Sequence, residues 1–242
     1  MGSTEKYTES YRRVECEEED LGLRTVGDCM KYFAEVQGNK HAVIFGATVE
    51  ADRETVTWLE LYENSCAFAK ALINLGIKRD EIVGINIRPC PEWLYITFGC
   101  MLAGIKAVGL AFTYTDGSDL IAMMNKMKTC SMLVLDPGAS GENWKIVRRL
   151  LDAYSKTGRA TSSKMSSVRF LLGHRFPTYE SKVRSLQEVM ANAPTDIEIP
   201  KYVSPDDISF LFQTSGSTGY QSLLPTLTLQ CSASDARREV TG

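Results

Sequence analysis

Between residues 82 and 172 the chain alternates strand-length apolar runs with helical segments, and this alternation constrains the fold more than any other feature. Residues 82–87, rich in β-branched side chains, read as a strand, and residues 92–103 as a helix that stops at Gly104. Residues 107–112 read as a second buried strand, 119–128 as a helix, 132–135 as a third strand and 168–172 as a fourth. Strands separated by helices of about 10–15 residues form right-handed βαβ units. The expected class is α/β, a mostly parallel sheet flanked by helices.

Upstream, Thr25 and Asp28 have capping-box spacing and open a helix over 25–36. Thr57 and Glu60 repeat it for a helix that runs to Leu75, with Gly76 placed to end it. Short strands over 42–45 and 54–57 lie between these helices, joined by a turn. Downstream, 143–155 reads as helix and 156–167 as a surface loop rich in Ser, Thr and Lys. Ser185 and Glu188 show capping spacing again, and 193–205 is a proline-bearing linker. Residues 1–20 read as a flexible acidic tail.

The 242 residues are 44% hydrophobic and 24% charged, enough for a sizeable core. A net charge of −3 gives no electrostatic case for nucleic acid or an anionic membrane surface. The seven Cys are odd in number and form no Cys-x-x-Cys, which suits reduced thiols in an intracellular protein. His41 and His174 are the only histidines and stand far apart, so neither a zinc site nor a His-based triad is expected. No run of 18 apolar residues and no apolar secretory leader occur, so a soluble intracellular protein is expected.

A strand over 208–212 runs into a loop of Thr214, Ser215, Gly216, Ser217, Thr218 and Gly219. Glycines allow close approach of a ligand to the backbone. Successive N–H groups with hydroxyls beside them make an anion nest suited to polyphosphate. No Lys follows Gly219, so this is not a Walker A loop. No Gly-x-Gly-x-x-Gly follows an early strand, so a dinucleotide fold is disfavoured. Several other residues have structural readings. Trp58 and Trp93 pack near helix starts, Met123, Met124 and Met127 fill core, and Asp206 with Asp207 caps a turn. Cys90 has no sequence neighbour placed to lower its pKa and reads as structural.

Three ordered blocks resemble the adenylate-forming superfamily, the acyl-CoA synthetases and their relatives. They are Val56-Thr57-Trp58-Leu59-Glu60-Leu61, then Met101-Leu102-Ala103-Gly104-Ile105-Lys106-Ala107-Val108, then the strand and loop over 208–219. In the third block Gln213 replaces the family's Tyr. The resemblance covers residues 21–219 and implies the N-terminal subdomain of the AMP-dependent synthetase/ligase fold. It also implies a two-step reaction, most like that of a fatty-acyl-CoA synthetase. A carboxylic acid attacks ATP, with Mg²⁺ present, to give an acyl-adenylate, and coenzyme A then takes the acyl group. By that resemblance the loop residues 214–219 bind the triphosphate.

The match departs after Gly219, where Tyr220-Gln221-Ser222 stands in place of x-Pro-Lys. The family's downstream blocks are absent, including the Glu that helps hold Mg²⁺ and the domain carrying the catalytic Lys. The expectation is a truncated chain, inactive alone, with no catalytic and no metal-binding residue of its own. Residues 220–242 would then be a divergent disordered tail, with at most a short edge strand near 226–229. Phe210 and Phe212, or an edge beside them, would be left partly uncovered and open to docking. A non-catalytic nucleotide-binding or partner-docking module is the alternative.

Overall fold

The computed structural model describes residues 23–46, 53–138, 140–201 and 203–213, and the backbone alone of 223–227. The expected tail over 1–20 lies outside the described residues, as does the tail over 220–242 apart from that short stretch. Two reciprocal caps organise the N-terminal part. Helix α1 (Val26–Gln37) starts where the Asp28 N–H donates to Thr25 Oγ1 at 3.1 Å and the Thr25 N–H donates to the Asp28 carboxylate at 2.9 Å. Strands β1 (His41–Phe45) and β2 (Glu54–Thr57) pair antiparallel, and β2 runs directly into α2 (Trp58–Asn74). Thr57 caps α2 in the same way, and its N–H donates to Glu60 at 2.8 Å. That N–H, and then the Thr57 hydroxyl, hold the Glu60 carboxyl below the usual carboxylate range. Trp58 stacks on Phe33 at 4.7 Å, the packing role expected of it.

The alternating region folds as β3 (Ile82–Asn86), α3 (Pro91–Leu102), β4 (Lys106–Gly109), α4 (Ser118–Met127) and β5 (Cys130–Leu135). Then come α5 (Glu142–Leu150), β6 (Ala153–Tyr154), β7 (Ala160–Thr161), β8 (Phe170–Gly173), β9 (Arg184–Ser185) and α6 (Leu186–Ala191). Strands β10 (Ile208–Gln213) and β11 (Leu223–Leu227) follow. The main sheet has the order β11-β10-β4-β3-β5-β8-β9, and every neighbouring pair is parallel except β10 with β11.

Both faces of this sheet are covered, which is why its strands read as continuous apolar runs. Along β5, Met132 and Val134 join Phe68, Leu72, Ile96 and Cys100 on the face packed by α2 and α3. Leu133 and Leu135 turn the other way and meet Leu120, Met124, Trp144 and Val147 of α4 and α5. The three methionines of α4 are core, as expected. Asp207 also does what its sequence context suggested. It closes a turn by accepting the Ser204 N–H at 2.9 Å, and it takes Arg79 Nη2 at 2.7 Å.

Three expectations need correction. The helix expected over 143–155 stops at Leu150, because Leu151 is extended and the chain turns into the β6–β7 hairpin. Ser162 Oγ donates to the freed Leu150 carbonyl, and Asp152 accepts the Ser163 N–H at 2.6 Å. The stretch 156–167 is therefore no plain surface loop, since it carries β7 and the fully buried Met165. The outer edge of β10 is paired with β11, so of the two phenylalanines only Phe212, at 54% exposure, is open, while Phe210 is buried against Trp93.

Gly99 lets α3 approach α2. A Cβ there would lie 2.8 Å from the Ser65 carbonyl oxygen and 3.0 Å from Phe68 Cβ. Gly99→Ala should therefore force the helices apart and cost about 1–3 kcal/mol. Thr57→Ala, which removes only a cap, should cost about 1 kcal/mol. Denaturant melts of both variants check the values and their order.

Candidate functional site

In a parallel sheet every strand ends at the same edge, so the loops leaving those ends converge there. From β3 the chain steps to β4 on one side, and from β4 it crosses to β5 on the other. The order thus reverses between β3 and β5, the kind of crevice where open α/β sheets take ligands. The residues at this edge are polar. Asn86 closes β3 and its Nδ2 donates to the Leu110 carbonyl at 2.7 Å. Asn143 Nδ2 donates in turn to Asn86 Oδ1 at 3.0 Å. Asp136, just past β5, is buried, and it accepts from Arg88 Nε at 3.2 Å and from the Gly138 N–H at 2.9 Å.

Beside this network, the start of α3 meets the end of β8. Cys90, the residue before α3, places Sγ 3.7 Å from His174 Nε2. Glu92 Oε2 lies 3.9 Å from the same nitrogen. His174 is held by its own N–H, which donates to the Leu135 carbonyl at 2.8 Å. Its other ring nitrogen, Nδ1, lies 2.9 Å from Gln187 Nε2. Ser185 Oγ donates to Gln187 Oε1 at 3.2 Å, which turns the amide so that its NH₂ faces the ring. Burial pushes the Cys90 thiol up to about 11 and the His174 imidazole below its ordinary value, the latter against the pull of Glu92. Burial also opposes ionisation of Glu92. Its own backbone N–H, then the His174 imidazole, outweigh burial and keep the carboxyl below the usual range.

The anticipated loop of Thr214, Ser215, Gly216, Ser217, Thr218 and Gly219 lies outside the described residues, but its root does not. Gln213, the last residue of β10, pairs its side-chain amide with the backbone of Ala111, just past β4. Its Oε1 accepts the Ala111 N–H and its Nε2 donates to the Ala111 carbonyl, both at 2.8 Å. This pair of hydrogen bonds fixes the end of β10, from which the loop departs. Next to it lies a cavity of about 430 Å³ lined by Ile85, Ile87, Trp93, Leu110, Phe210 and Gln213. The polar edge, this cavity and the root of the loop therefore share the carboxyl end of the sheet.

Sequence reasoning singled out the loop but missed the grouping of Cys90, Glu92 and His174. It took Cys90 as lacking a partner because no His stands near it in sequence. The usable signal was positional. Cys90 follows one expected strand and His174 another, and parallel pairing brings both ends to one edge.

The profile of the AMP-binding enzyme family matches residues 30–221. Among relatives by sequence, the acetyl-coenzyme A synthetase of Marinobacter nauticus is 27% identical over 203 residues, 83% of this chain and 31% of the relative. That of Cryptosporidium parvum is 27% identical over 204 residues, 81% of this chain and 28% of its own. The chain thus spans about 30% of the length of the relatives it matches. Among solved structures, the anthranilate CoA ligase AuaEII in complex with anthranoyl-AMP superposes with a TM-score of 0.65 at 18% identity, over 84% of this chain and 35% of that one. A long-chain-fatty-acid–CoA ligase from Archaeoglobus fulgidus gives 0.62 at 18% identity, over 85% and 37%. At such identities the structures speak for the fold.

Replacing the Gln213 amide should free the end of β10. Gln213→Ala is expected to cost about 1 kcal/mol, since the Ala111 groups are near solvent and water replaces the amide. Hydrogen exchange at the Ala111 N–H should quicken in the same variant. Unchanged exchange would show that the pin does not hold this edge.

Proposed function

The chain belongs to the AMP-binding enzyme family, and on that premise we propose that it carries the triphosphate-holding part of a carboxylate-activating, acyl-CoA synthetase-like enzyme. In that reading Thr214, Ser215, Ser217 and Thr218 supply hydroxyls, and the backbone from Gly216 to Gly219 supplies N–H groups, to the phosphate oxygens of ATP. The observation that carries it is the anchorage of this loop. Its root is tied by Gln213 to Ala111 at the carboxyl edge of a parallel sheet, where such folds bind ligands.

Holding a flexible triphosphate so that pyrophosphate leaves in line with the attacking carboxylate is a task of positioning and charge stabilisation. Backbone N–H groups suit phosphate oxygens rather than a cation, and Mg²⁺ is usually bound through substrate phosphates together with few protein oxygens. Coenzyme A, as the later acceptor, and a carboxylic acid, as the co-substrate, enter this reading by family membership. We further propose that the 242 residues alone do not complete adenylation.

A second reading has one observation in its favour. Phe212, next to the root of the loop, is an exposed apolar side chain, and Ile208 is another at the opposite end of β10. They favour a non-catalytic module that binds nucleotide and docks to another chain.

Titration with labelled ATP and Mg²⁺ tests the first reading. Saturable binding is expected. Each hydrogen bond to a charged oxygen is worth about 1.5–3 kcal/mol, so Ser217→Ala should weaken binding about 10- to 100-fold. Absence of saturable binding up to millimolar ATP removes both the phosphate-loop reading and the nucleotide-binding version of the second. In an ATP–pyrophosphate exchange assay no acid-dependent exchange is expected, and its appearance would overturn the proposed incompleteness.

A further inference from the structure

We propose that Cys90, Glu92 and His174 form a binding site for a single zinc-type divalent cation, with three protein ligands and one open position. The three donor atoms, a thiol sulfur, a carboxylate oxygen and an imidazole nitrogen, all lie within 4.8 Å of one another. The two distances to His174 Nε2 are 3.7 Å from sulfur and 3.9 Å from oxygen. Tetrahedral zinc, with bonds of about 2.0–2.3 Å, sets its ligand atoms roughly 3.3–3.6 Å apart. The two separations from His174 Nε2 exceed these by a few tenths of an ångström, and the third is bounded at 4.8 Å.

The orientation of the ring separates this arrangement from a nucleophilic triad. A triad places the nucleophile on one imidazole nitrogen and the carboxylate on the other. Here thiol and carboxylate both face Nε2, while Nδ1 is engaged by Gln187. The three donors converge on one point, and the far nitrogen of the His is engaged by a neighbouring side chain, as in metal sites, but here Gln187 donates to it where a metal-bound His donates outward. Binding with Nε2 as the ligand places the ring proton on Nδ1, so the Gln187 amide would turn to accept it.

A further sign is Glu92 itself. Its Oε2 is buried and makes no hydrogen bond of ordinary geometry among the described residues, although the Cys90 thiol and the helix N–H lie close enough to favour the carboxylate. A carboxylate oxygen cut off from water is costly unless a cation or a donor meets it. The position in the fold agrees. Cys90 and Glu92 follow β3 and His174 follows β8, with β5 between them, so the site spans the crevice next to the reversal of strand order. On binding, Cys90 loses its thiol proton to solvent and the sulfur–metal bond forms, while water takes the fourth position.

The test uses the full chain, stripped of metal under reducing conditions and titrated with Co²⁺ as a coloured substitute for zinc. The expected result is saturation at one equivalent per chain, with a thiolate-to-cobalt band in the near ultraviolet and the intense visible bands of a tetrahedral site. Zn²⁺ should displace both. Cys90→Ser should abolish the near-ultraviolet band, and Glu92→Gln and His174→Gln should each weaken Co²⁺ binding at least about tenfold. Cys29→Ser, at a half-buried thiol of α1 outside the cluster, should leave the spectrum intact. No saturable band in the unaltered chain overturns the proposal whatever the variants do. So does a band that survives Cys90→Ser, because the colour would then belong to another thiol.

Discussion

The pairing of β3 with β5 is the contact on which the rest of the molecule depends. It runs from Ile82 opposite Cys130 to Asn86 opposite Leu135, in the middle of the sheet. Close packing there requires Gly84, because a Cβ would lie 2.5 Å from Leu110 Cδ1 and 3.1 Å from Leu133 Cδ2. The same pairing hands the chain to the edge in register. The Asp136 N–H donates to the Asn86 carbonyl at 2.8 Å, so the polar network at the crevice extends the ladder. Apolar faces hold the fold, and the strand ends carry the chemistry.

The strands and helices of this core were legible because period and length separate them cleanly. A buried parallel strand such as β5 reads as an unbroken apolar run, and α2 announces itself through Thr57 and Glu60. What sequence could not supply was the end of α5. No proline or glycine stops it after Leu150. It stops because Ser162 and Asp152 offer side-chain bonds that the hairpin makes available, and those partners are brought together only by tertiary folding. Strand β9 has just two residues and was below the threshold of any periodicity.

The site was legible in a different proportion. The loop beginning at Thr214 could be read locally, since its chemistry lies in consecutive residues. The role of Gln213 could not, because its partner Ala111 is 102 positions away. Cys90 and His174 are 84 positions apart, and the one local hint is that each follows a strand. Their meeting becomes visible only once the order β3-β5-β8 is known, when two unrelated residues fall on strand ends separated by β5 alone.

Partnering of buried polar groups marks where this fold departs from pure packing. Ser65 donates to the Leu61 carbonyl at 2.6 Å, Thr97 to the Trp93 carbonyl at 2.8 Å, and Asp136 accepts two bonds. Among the described residues three buried side-chain atoms lack a hydrogen-bond partner, on Glu92, Ser131 and Trp144. An unpaired hydroxyl or indole N–H costs about 1–3 kcal/mol, which a large core can absorb. A carboxylate oxygen costs more. The exception that matters therefore lies at the strand ends rather than inside the core. It lies one residue before Trp93, whose ring packs 6.0 Å from that of Phe210 in the strand that leads to the loop. The first turn of α3 is thus common to the cation cluster and to the apolar cavity, and it joins them through a single rigid element.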